Sequence, residues 1–472
     1  MEEIVFTIDI GTTAIKYVGY QQESGEKVYQ KQDFVDTHYG ANGLVCQSPT
    51  AIWQKIHEEL SNQTLPLCLI VLSTPMHTLI PLGTAEEPVM YIWQDTQSAT
   101  VAKEMIHTAM GRDIYQRTGT PLHPMSPFLK LRYFQVHQSE WFQTVEQWTD
   151  LKGYLMEKLT GNWVTDYSNA SASGLWNSVT MNWDSGILDL LKLTSNQFPL
   201  AVEPTEEFPM SACFQPKSPS KECRVMIGSS DGCLASYASY QANGIAMTLT
   251  IGTSGALRIL SNRRWIDPKG RLFCYYLAHD IWVIGGPTNN GGKVLTWLSQ
   301  LFLPDEKAIF DYLPTLYSQQ GQATKSSLLF YPYLFGERAP LWDGAVRANF
   351  IGVDWHHTKA DFLRAGVEGI LFNLRYIADG LETAERIVAV SGGFFAIPTM
   401  SQLTATILQK EVIHADTNDP NFGAYLLTKQ LPMITEPSHD EQHVYLPDEQ
   451  LETEYEKTYQ LFVTGLKKMY QP

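Results

Sequence analysis

Two short stretches carry the residue types that handle phosphate. Near the chain start, Val5-Phe6-Thr7-Ile8-Asp9-Ile10-Gly11-Thr12-Thr13-Ala14-Ile15-Lys16 reads as a β-branched strand, a tight turn at Gly11-Thr12-Thr13 and a second strand. Gly11 has no Cβ, so a phosphate can approach the backbone N–H groups of the turn. Thr12 and Thr13 add hydroxyl donors, and Lys16 is grouped with them as a phosphate-side residue. Asp9, at the strand end, is placed to meet a metal ion riding on those phosphates. An ordinary hairpin with solvated threonines would explain one such stretch equally well. The plan returns just past the midpoint, in Met247-Thr248-Leu249-Thr250-Ile251-Gly252-Thr253-Ser254-Gly255-Ala256-Leu257. Two phosphate turns so placed point to a duplicated chain whose halves face each other across a nucleotide.

Phosphoryl transfer also needs a base for the acceptor hydroxyl. Asp231, in Gly228-Ser229-Ser230-Asp231-Gly232, lies between the two turns in sequence and is the candidate, although an Asp opening a helix is often only its N-cap. Gly392-Gly393, after a strand, either lets the backbone approach the α-phosphate and adenosine or simply admits the chain into a helix. The run Gly285 to Lys293 superficially suggests a P-loop. Val294 stands where Ser or Thr is required and the leading glycine is misplaced, so that reading is rejected.

These residues need strand ends to hold them. Strands are expected at 67–72, 90–93, 225–227, 281–284 and 387–390. Helices are expected at 49–60, then to about 109, at 128–137, at 151–159 before Gly161, after Gly292 to about 302, and in an amphipathic closing segment through Tyr455, Tyr459, Phe462 and Leu466. The Pro-rich stretch 194–222 reads as a surface excursion. A domain boundary is placed near Asn243-Gly244, dividing the chain into 1–243 and 244–472.

The 472 residues are 44% apolar and 18% charged, ordinary for a soluble globular enzyme of two or three domains. With a net charge of −16 and no basic run, nucleic acid and anionic membrane are poor partners. The 6 cysteines include no C-x-x-C pair, so neither a zinc site nor a disulfide framework is expected. The start carries no signal-like apolar core and no run is long enough to span a bilayer, so a cytoplasmic protein is expected.

In this order the pieces resemble the FGGY carbohydrate kinase family, with gluconokinases the nearest group within it. Met125-Ser126-Pro127-Phe128-Leu129-Lys130-Leu131-Arg132-Tyr133 resembles the family signature, with Tyr133 where Trp is usual. Asp166 to Gly174, Gly228 to Gly232, and Phe335-Gly336-Glu337-Arg338-Ala339-Pro340-Leu341-Trp342-Asp343 are also similar. The gluconokinase character rests on Arg117-Thr118-Gly119-Thr120-Pro121-Leu122-His123-Pro124-Met125 and on Trp282-Val283-Ile284-Gly285-Gly286-Pro287-Thr288-Asn289-Asn290-Gly291-Gly292.

The resemblance implies an α/β fold of two actin-like (ribonuclease H-like) ATPase domains with a cleft between them. It implies ATP with Mg²⁺ and transfer of the γ-phosphate to the 6-hydroxyl of D-gluconate. Asp231 then matches the catalytic base. Thr12, Thr13, Gly252 and Thr253 match phosphate-side positions, and Gly292, Thr296 and Gly393 fall where the family holds the nucleotide. Met76, His77, Trp93, Asp95, His123 and Met125 fall where it lines the sugar pocket, although each type also serves in ordinary cores and loops.

Three departures stand out. Gln97 replaces an Arg usual in W-x-D-x-R, Ile397 replaces a polar residue near adenine, and Asp419-Pro420-Asn421-Phe422-Gly423-Ala424 differs from the usual C-L-G-A. Loss of a fork-shaped cation at 97 weakens the case for an anionic acceptor. Glu337-Arg338 is expected to form no more than an intra-domain ion pair. The competing readings are a xylulose or other polyol kinase of the same family and a non-catalytic actin-like nucleotide-binding protein. The expected partner is a small sugar or sugar acid, and a homodimer is the assembly left open.

Overall fold

The structure is a computed structural model and describes residues 2–211, 223–318, 328–415, 417–431 and 444–470. The end of the expected Pro-rich excursion, with Cys213, lies outside the described residues. Two six-stranded sheets carry the fold. In the first, β1 (Ile4–Ile10) and β2 (Ala14–Gln21) make the hairpin about Gly11-Thr12-Thr13, β3 (Lys27–Phe34) pairs antiparallel to β2, and β4 (Leu67–Ser73) runs parallel to β1. A further strand, β5 (Glu207–Pro209), closes the edge against β6 (Arg224–Met226), which runs parallel to β4.

In the second sheet, β7 (Met247–Ile251) and β8 (Gly255–Ser261) form the hairpin about Gly252-Thr253-Ser254. Here β9 (Phe273–Ala278) is the edge, β10 (Ile281–Thr288) pairs antiparallel to both β9 and β8, β11 (Ile387–Ser391) is parallel to β7, and β12 (Glu411–His414) is parallel to β11. With one edge strand set aside from each sheet, the order β3-β2-β1-β4-β6 repeats as β10-β8-β7-β11-β12 with the same strand senses. The duplication read from two turns is therefore a duplication of whole sheets.

The sequence accounts for the placement of these strands. β1 is buried along its whole length, as expected of a central strand covered on both faces. β3 carries Lys27, Gln30, Lys31, Gln32 and Asp33, and those charges protect an exposed edge. Helices Pro49–Asn62 and Leu151–Thr160 cover one face of the first sheet, with Ile52, Ile56, Leu151 and Leu155 against Ile4, Phe6 and Ile8. Helix Lys359–Ala378 packs in the core of the second sheet, and the closing helix Glu449–Tyr470 adds Tyr455, Tyr459, Phe462 and Leu466 to it. A third core joins the halves: Val5, Val18, Tyr20 and Tyr237 meet Phe273, Tyr275, Val283 and Tyr425.

Several boundaries differ from expectation. The strand at 90–93 is only Met90–Tyr91; Ile92 and Trp93 turn away as the Asp95 N–H bonds back to the Ile92 carbonyl at 3.0 Å. Helix Ala99–Met105 stops before 109, and a second, Ala109–Thr118, starts there under a Thr108 cap. β10 continues through Gly285, where a Cβ would stand 2.2 Å from the Leu257 carbonyl oxygen. Part of the supposed surface excursion forms Leu200–Val202 and β5.

Gly228 turns the chain from β6 toward Asp231 with φ of 71°, and a Cβ there would lie 1.9 Å from the Leu72 carbonyl oxygen. Gly161 has φ of 77° but nothing within 4 Å of its Cβ position. Gly228→Ala should therefore cost more than about 2 kcal/mol, and Gly161→Ala only about 1 kcal/mol. Urea unfolding of the two variants measures the difference, and equal losses would contradict the close approach at Gly228.

Candidate functional site

Asp231 sits where two parallel strands end. Its N–H donates to the Thr74 carbonyl at 3.0 Å, and Ser230 forms an isolated bridge with Thr74. Ser168 and Ser230 share a hydroxyl hydrogen bond of 2.7 Å, and Asn169 Nδ2 donates to Thr74 Oγ1 at 3.0 Å. Beneath them the buried Lys152 ammonium donates to the Leu72 and Ile227 carbonyls at 3.0 and 2.6 Å and pairs with Asp166 at 3.3 Å. This network locks the ends of β4 and β6 together. Asp231 is the first residue of helix Asp231–Asn243, and Ser230 holds the N-cap position. The N-cap reading of Asp231 is thus replaced: its carboxylate accepts the Gly232 N–H at 2.7 Å. Burial pushes its pKa above the usual carboxylate value, opposed by that N–H and by the Arg258 charge.

The carboxylate faces a cavity of about 160 Å³ between the halves. From the first half come Met76, His77, Trp93, Met125 and Asp231; from the second come Arg258, Tyr275 and Arg338. His77 has φ of 65°, and its Nδ1 lies 2.8 Å from the Ala172 carbonyl. Burial lowers its pKa to about 3, so the ring stays neutral. The carbonyl demands a proton on Nδ1, which leaves Nε2 as an acceptor for a hydroxyl. Met76 packs over Gly232, where a Cβ would come 2.6 Å from the movable Met76 Cε.

Asp95 and His123 stand behind the cavity wall and do not line it. The Asp95 carboxylate accepts the Val45 N–H at 3.0 Å and the Gln97 N–H at 3.4 Å. His123 Nδ1 accepts the Met125 N–H at 3.2 Å, and its ring meets Trp342 edge-on. Between these residues Lys130 is buried, donating to the Pro124 and Met125 carbonyls at 2.8 and 2.7 Å. Burial lowers its pKa to about 7 against the attraction of Asp95.

The phosphate-side residues lie on exposed or half-exposed turns. In each turn the first glycine N–H closes the loop, Gly11 to the Ala14 carbonyl at 2.8 Å and Gly252 to the Ser254 carbonyl at 2.9 Å. Thr13 and Lys16 point to solvent, and Trp93 Nε1 donates to Thr12 Oγ1 at 3.2 Å. Gly292 N–H donates to the Gly252 carbonyl at 2.7 Å, so helix Gly292–Phe302 starts on the second turn, with the Thr296 hydroxyl bonded inside that helix. Gly392 comes equally close, where a Cβ would lie 2.3 Å from the Ile251 carbonyl oxygen, whereas Gly393 is open to solvent. Gly11, Gly252, Gly292, Gly392 and Gly393 thus offer no side chain, while Thr253 lies exposed beside them.

Asp9 is buried and accepts from Ser73 Oγ at 2.7 Å. Burial pushes its pKa to about 7, and the Asp231 and Asp419 charges add to the rise. Among the described residues no three metal-ligating side chains form a cluster. One buried carboxylate within electrostatic range of two others fits a Mg²⁺ held through water and by phosphate oxygens, and not a cage of protein ligands.

The comparisons decide the class. Residues 4–215 match the N-terminal domain model of the FGGY family of carbohydrate kinases, and 247–428 match its C-terminal domain model. The chain belongs to the FGGY family of carbohydrate kinases. A gluconokinase of Bacillus licheniformis is 31% identical over 494 residues, covering 98% of this chain and 95% of the relative. The crystal structure of a gluconate kinase from Lactobacillus acidophilus superposes with a TM-score of 0.89 at 30% identity, covering 100% and 99% of the two chains. A ligand-bound xylulose kinase from the same organism superposes at 0.88 with 29% identity, covering 99% of each. This kinase therefore has the two-domain actin-like ATPase fold.

Family departures acquire physical reasons in the structure. Asp419 caps helix Pro420–Leu427, Asn421 Oδ1 accepts from Thr7 Oγ1 at 2.8 Å, and a Cβ on Gly423 would lie 2.1 Å from the Leu234 carbonyl oxygen. That segment ties the second half to the first. The expected Glu337–Arg338 ion pair does not form. The Glu337 carboxylate accepts from Thr288 Oγ1, the Asn289 and Arg338 N–H groups, Asn290 and Asn373, while the Arg338 guanidinium turns the other way to the Asn289 side chain and the Thr288 carbonyl. Sequence reasoning missed Arg258, Arg338, Lys152 and Lys130. One signal was present, a lone charge in the apolar run Ala256-Leu257-Arg258-Ile259-Leu260.

Lys130 yields a pH test. Its folded pKa of about 7 lies below the ordinary lysine value, so the unfolded chain binds more protons between those limits and stability rises with pH across them. Lys130→Met should flatten that part of the stability profile between pH 7 and 10 and raise KM for the acceptor. Chemical denaturation at several pH values checks the first and steady-state kinetics the second; a profile parallel to wild type would contradict the assignment.

Proposed function

We propose that this kinase transfers the γ-phosphate of ATP to the 6-hydroxyl of D-gluconate, giving 6-phosphogluconate. The observation that carries the reading is a half-buried carboxylate, Asp231, facing a cavity between the halves whose other wall bears two guanidinium groups. The similarity to gluconokinases over nearly the whole chain supports it. On this reading residues 1–243 supply the acceptor side and the base, and 244–472 supply most of the nucleotide side. ATP as phosphoryl donor and the absence of any helix, among the described residues, able to cross a membrane are in keeping with a cytoplasmic enzyme.

The acceptor hydroxyl lies against Asp231, which takes its proton as the oxygen bonds to the γ-phosphorus and the bond to the β-phosphate oxygen breaks, releasing ADP. Desolvation makes Asp231 a stronger base than an exposed aspartate. His77 Nε2 accepts a hydroxyl proton of the sugar, and Met76, Trp93 and Met125 exclude water. Asp95 and His123 hold the pocket walls in place. The turns at Gly11-Thr12-Thr13 and Gly252-Thr253 receive the phosphates, with Gly292, Gly392 and Gly393 along the nucleotide. Mg²⁺, held by Asp9 through water, would neutralise charge on the transferred group.

The second reading changes only the acceptor, to xylulose or another neutral polyol. The xylulose kinase structure and the neutral Gln97 favour it. A panel of sugars with ATP separates the two: turnover of D-gluconate well above D-xylulose is expected, and saturation by xylulose with no gluconate turnover would discard the first. Asp231→Asn should lower kcat about 10²- to 10⁴-fold with an unchanged circular dichroism spectrum. Near-normal turnover would remove Asp231 from the mechanism. ATP hydrolysis should be slow alone and rise with the correct acceptor, because closure must exclude water from the γ-phosphate.

A further inference from the structure

The acceptor cavity is lined by two guanidiniums that, among the described residues, no carboxylate contacts directly. Arg258 enters from β8 with its Nε buried and without a protein partner. Its Nη2 lies 3.7 Å from the point where a Cβ on Gly232 would stand, beside the base. Arg338 enters from the loop between Tyr331 and Asn349. Its Nε donates to Asn289 Oδ1 at 2.8 Å, and its guanidinium lies 5.1 Å over the Trp93 ring. Burial lowers the Arg338 pKa to about 10, with the Arg258 charge adding to the fall and the Glu337 charge opposing it. Among the described residues neither forms an ion pair with a carboxylate. Glu337, next in the chain, is consumed by amide and hydroxyl donors.

The two half-buried guanidiniums feel the Asp231 and Glu337 charges, but neither carboxylate takes their N–H donors, and the unpartnered Nε of Arg258 is left for an incoming acceptor. The donor phosphates have their own seat on the two glycine turns. The walls around the guanidiniums are Met76, Trp93, Met125 and Tyr275, which suit the carbon chain of a sugar. A planar fork of N–H donors matches a carboxylate in two places at once, and a free Nε is one arm of that fork.

Resting on the sugar-acid reading, we propose that Arg258 and Arg338 together seat the carboxylate of the acceptor and so select a sugar acid over a neutral polyol of the same size. The cation that the family pattern places at position 97 is then supplied from the other half of the molecule. Domain closure completes the acceptor site, because its anion-binding wall belongs to the second half.

Calorimetric binding of D-gluconate and of neutral D-glucitol to wild type, Arg258→Met and Arg258→Lys tests this, with circular dichroism to confirm folding and steady-state kinetics alongside. Arg258→Met should weaken gluconate about 10- to 100-fold and change glucitol less than about threefold, and Lys should restore part of the loss. An equal loss for both ligands, or an unchanged gluconate affinity, overturns the proposal. Arg338→Lys, which keeps the charge and loses the fork, should weaken gluconate more than glucitol as well. The outcomes separate from those of the function itself. A wild type that ignores gluconate but prefers another sugar acid, with the preference lost in Arg258→Met, discards gluconate and keeps the seat. A wild type that takes neutral sugars with no preference for acids discards both.

Discussion

A base that works on an alcohol must be kept from bulk water while remaining within reach of a charged phosphate, and the apolar seam between the two sheets resolves that conflict. Each sheet first buries its own outer face, so neither needs the other for a core. The inner faces then share Tyr20, Tyr237, Phe273, Tyr275 and Tyr425. Because the two sheets have the same strand order and senses, joining them brings corresponding strand ends toward one gap. Asp9 ends β1, Met76 and His77 follow β4, Asp231 follows β6, Gly252 follows β7 and Gly392 follows β11. Every one of these groups lies at the carboxyl end of its strand, where open α/β sheets place ligands. The chemistry is therefore positioned by topology, and the side chains add only the final angles.

Buried cations supply the local precision that topology lacks. Lys152 holds the ends of β4 and β6 by their carbonyls, so the loop carrying Asp231 cannot slip past the loop carrying Met76 and His77. Lys130 does the same for the Pro124 and Met125 carbonyls. In both places an ammonium replaces what would be unpaired backbone at a strand or helix end, where an orphaned carbonyl is costly. The desolvation these lysines suffer is the counterpart of that rigidity.

The hairpins and the duplication were legible in the sequence because glycine turns are local. Gly228 and Gly392 each sit where another backbone approaches closely, and such positions announce themselves by residue type. The acceptor wall was legible only on one side. Met76, His77, Trp93 and Met125 lie in loops that directly follow short strands or turns, whereas Arg258 and Arg338 reach the same cavity from segments more than a hundred residues away in the other half. No local spacing encodes that meeting. Asp95 stands one layer behind Trp93: W-x-D reads as a single site, but the turn after Met90–Tyr91 sends the indole forward and the carboxylate back to the Val45 N–H. Glu337 and Arg338 were expected to pair because they are neighbours, but successive residues in extended chain point to opposite sides.

The overall charge sharpens the role of those guanidiniums. The chain carries a net −16, so at long range it repels both a triphosphate and a sugar acid. At physiological ionic strength that repulsion is screened beyond roughly 8 Å, and attraction has to arise within the cleft itself. A pair of half-buried guanidiniums acts at that range and barely beyond it. Such an arrangement contributes little to the rate of encounter and much to the choice made after encounter, because an acid that leaves them unsatisfied, or a neutral polyol that cannot satisfy them, forfeits charge-assisted hydrogen bonds in a medium of low polarity. On the proposed reading selectivity resides in the meeting of the two halves: Asp231 and the apolar shelf come from the first, and the counter-charge comes from the second.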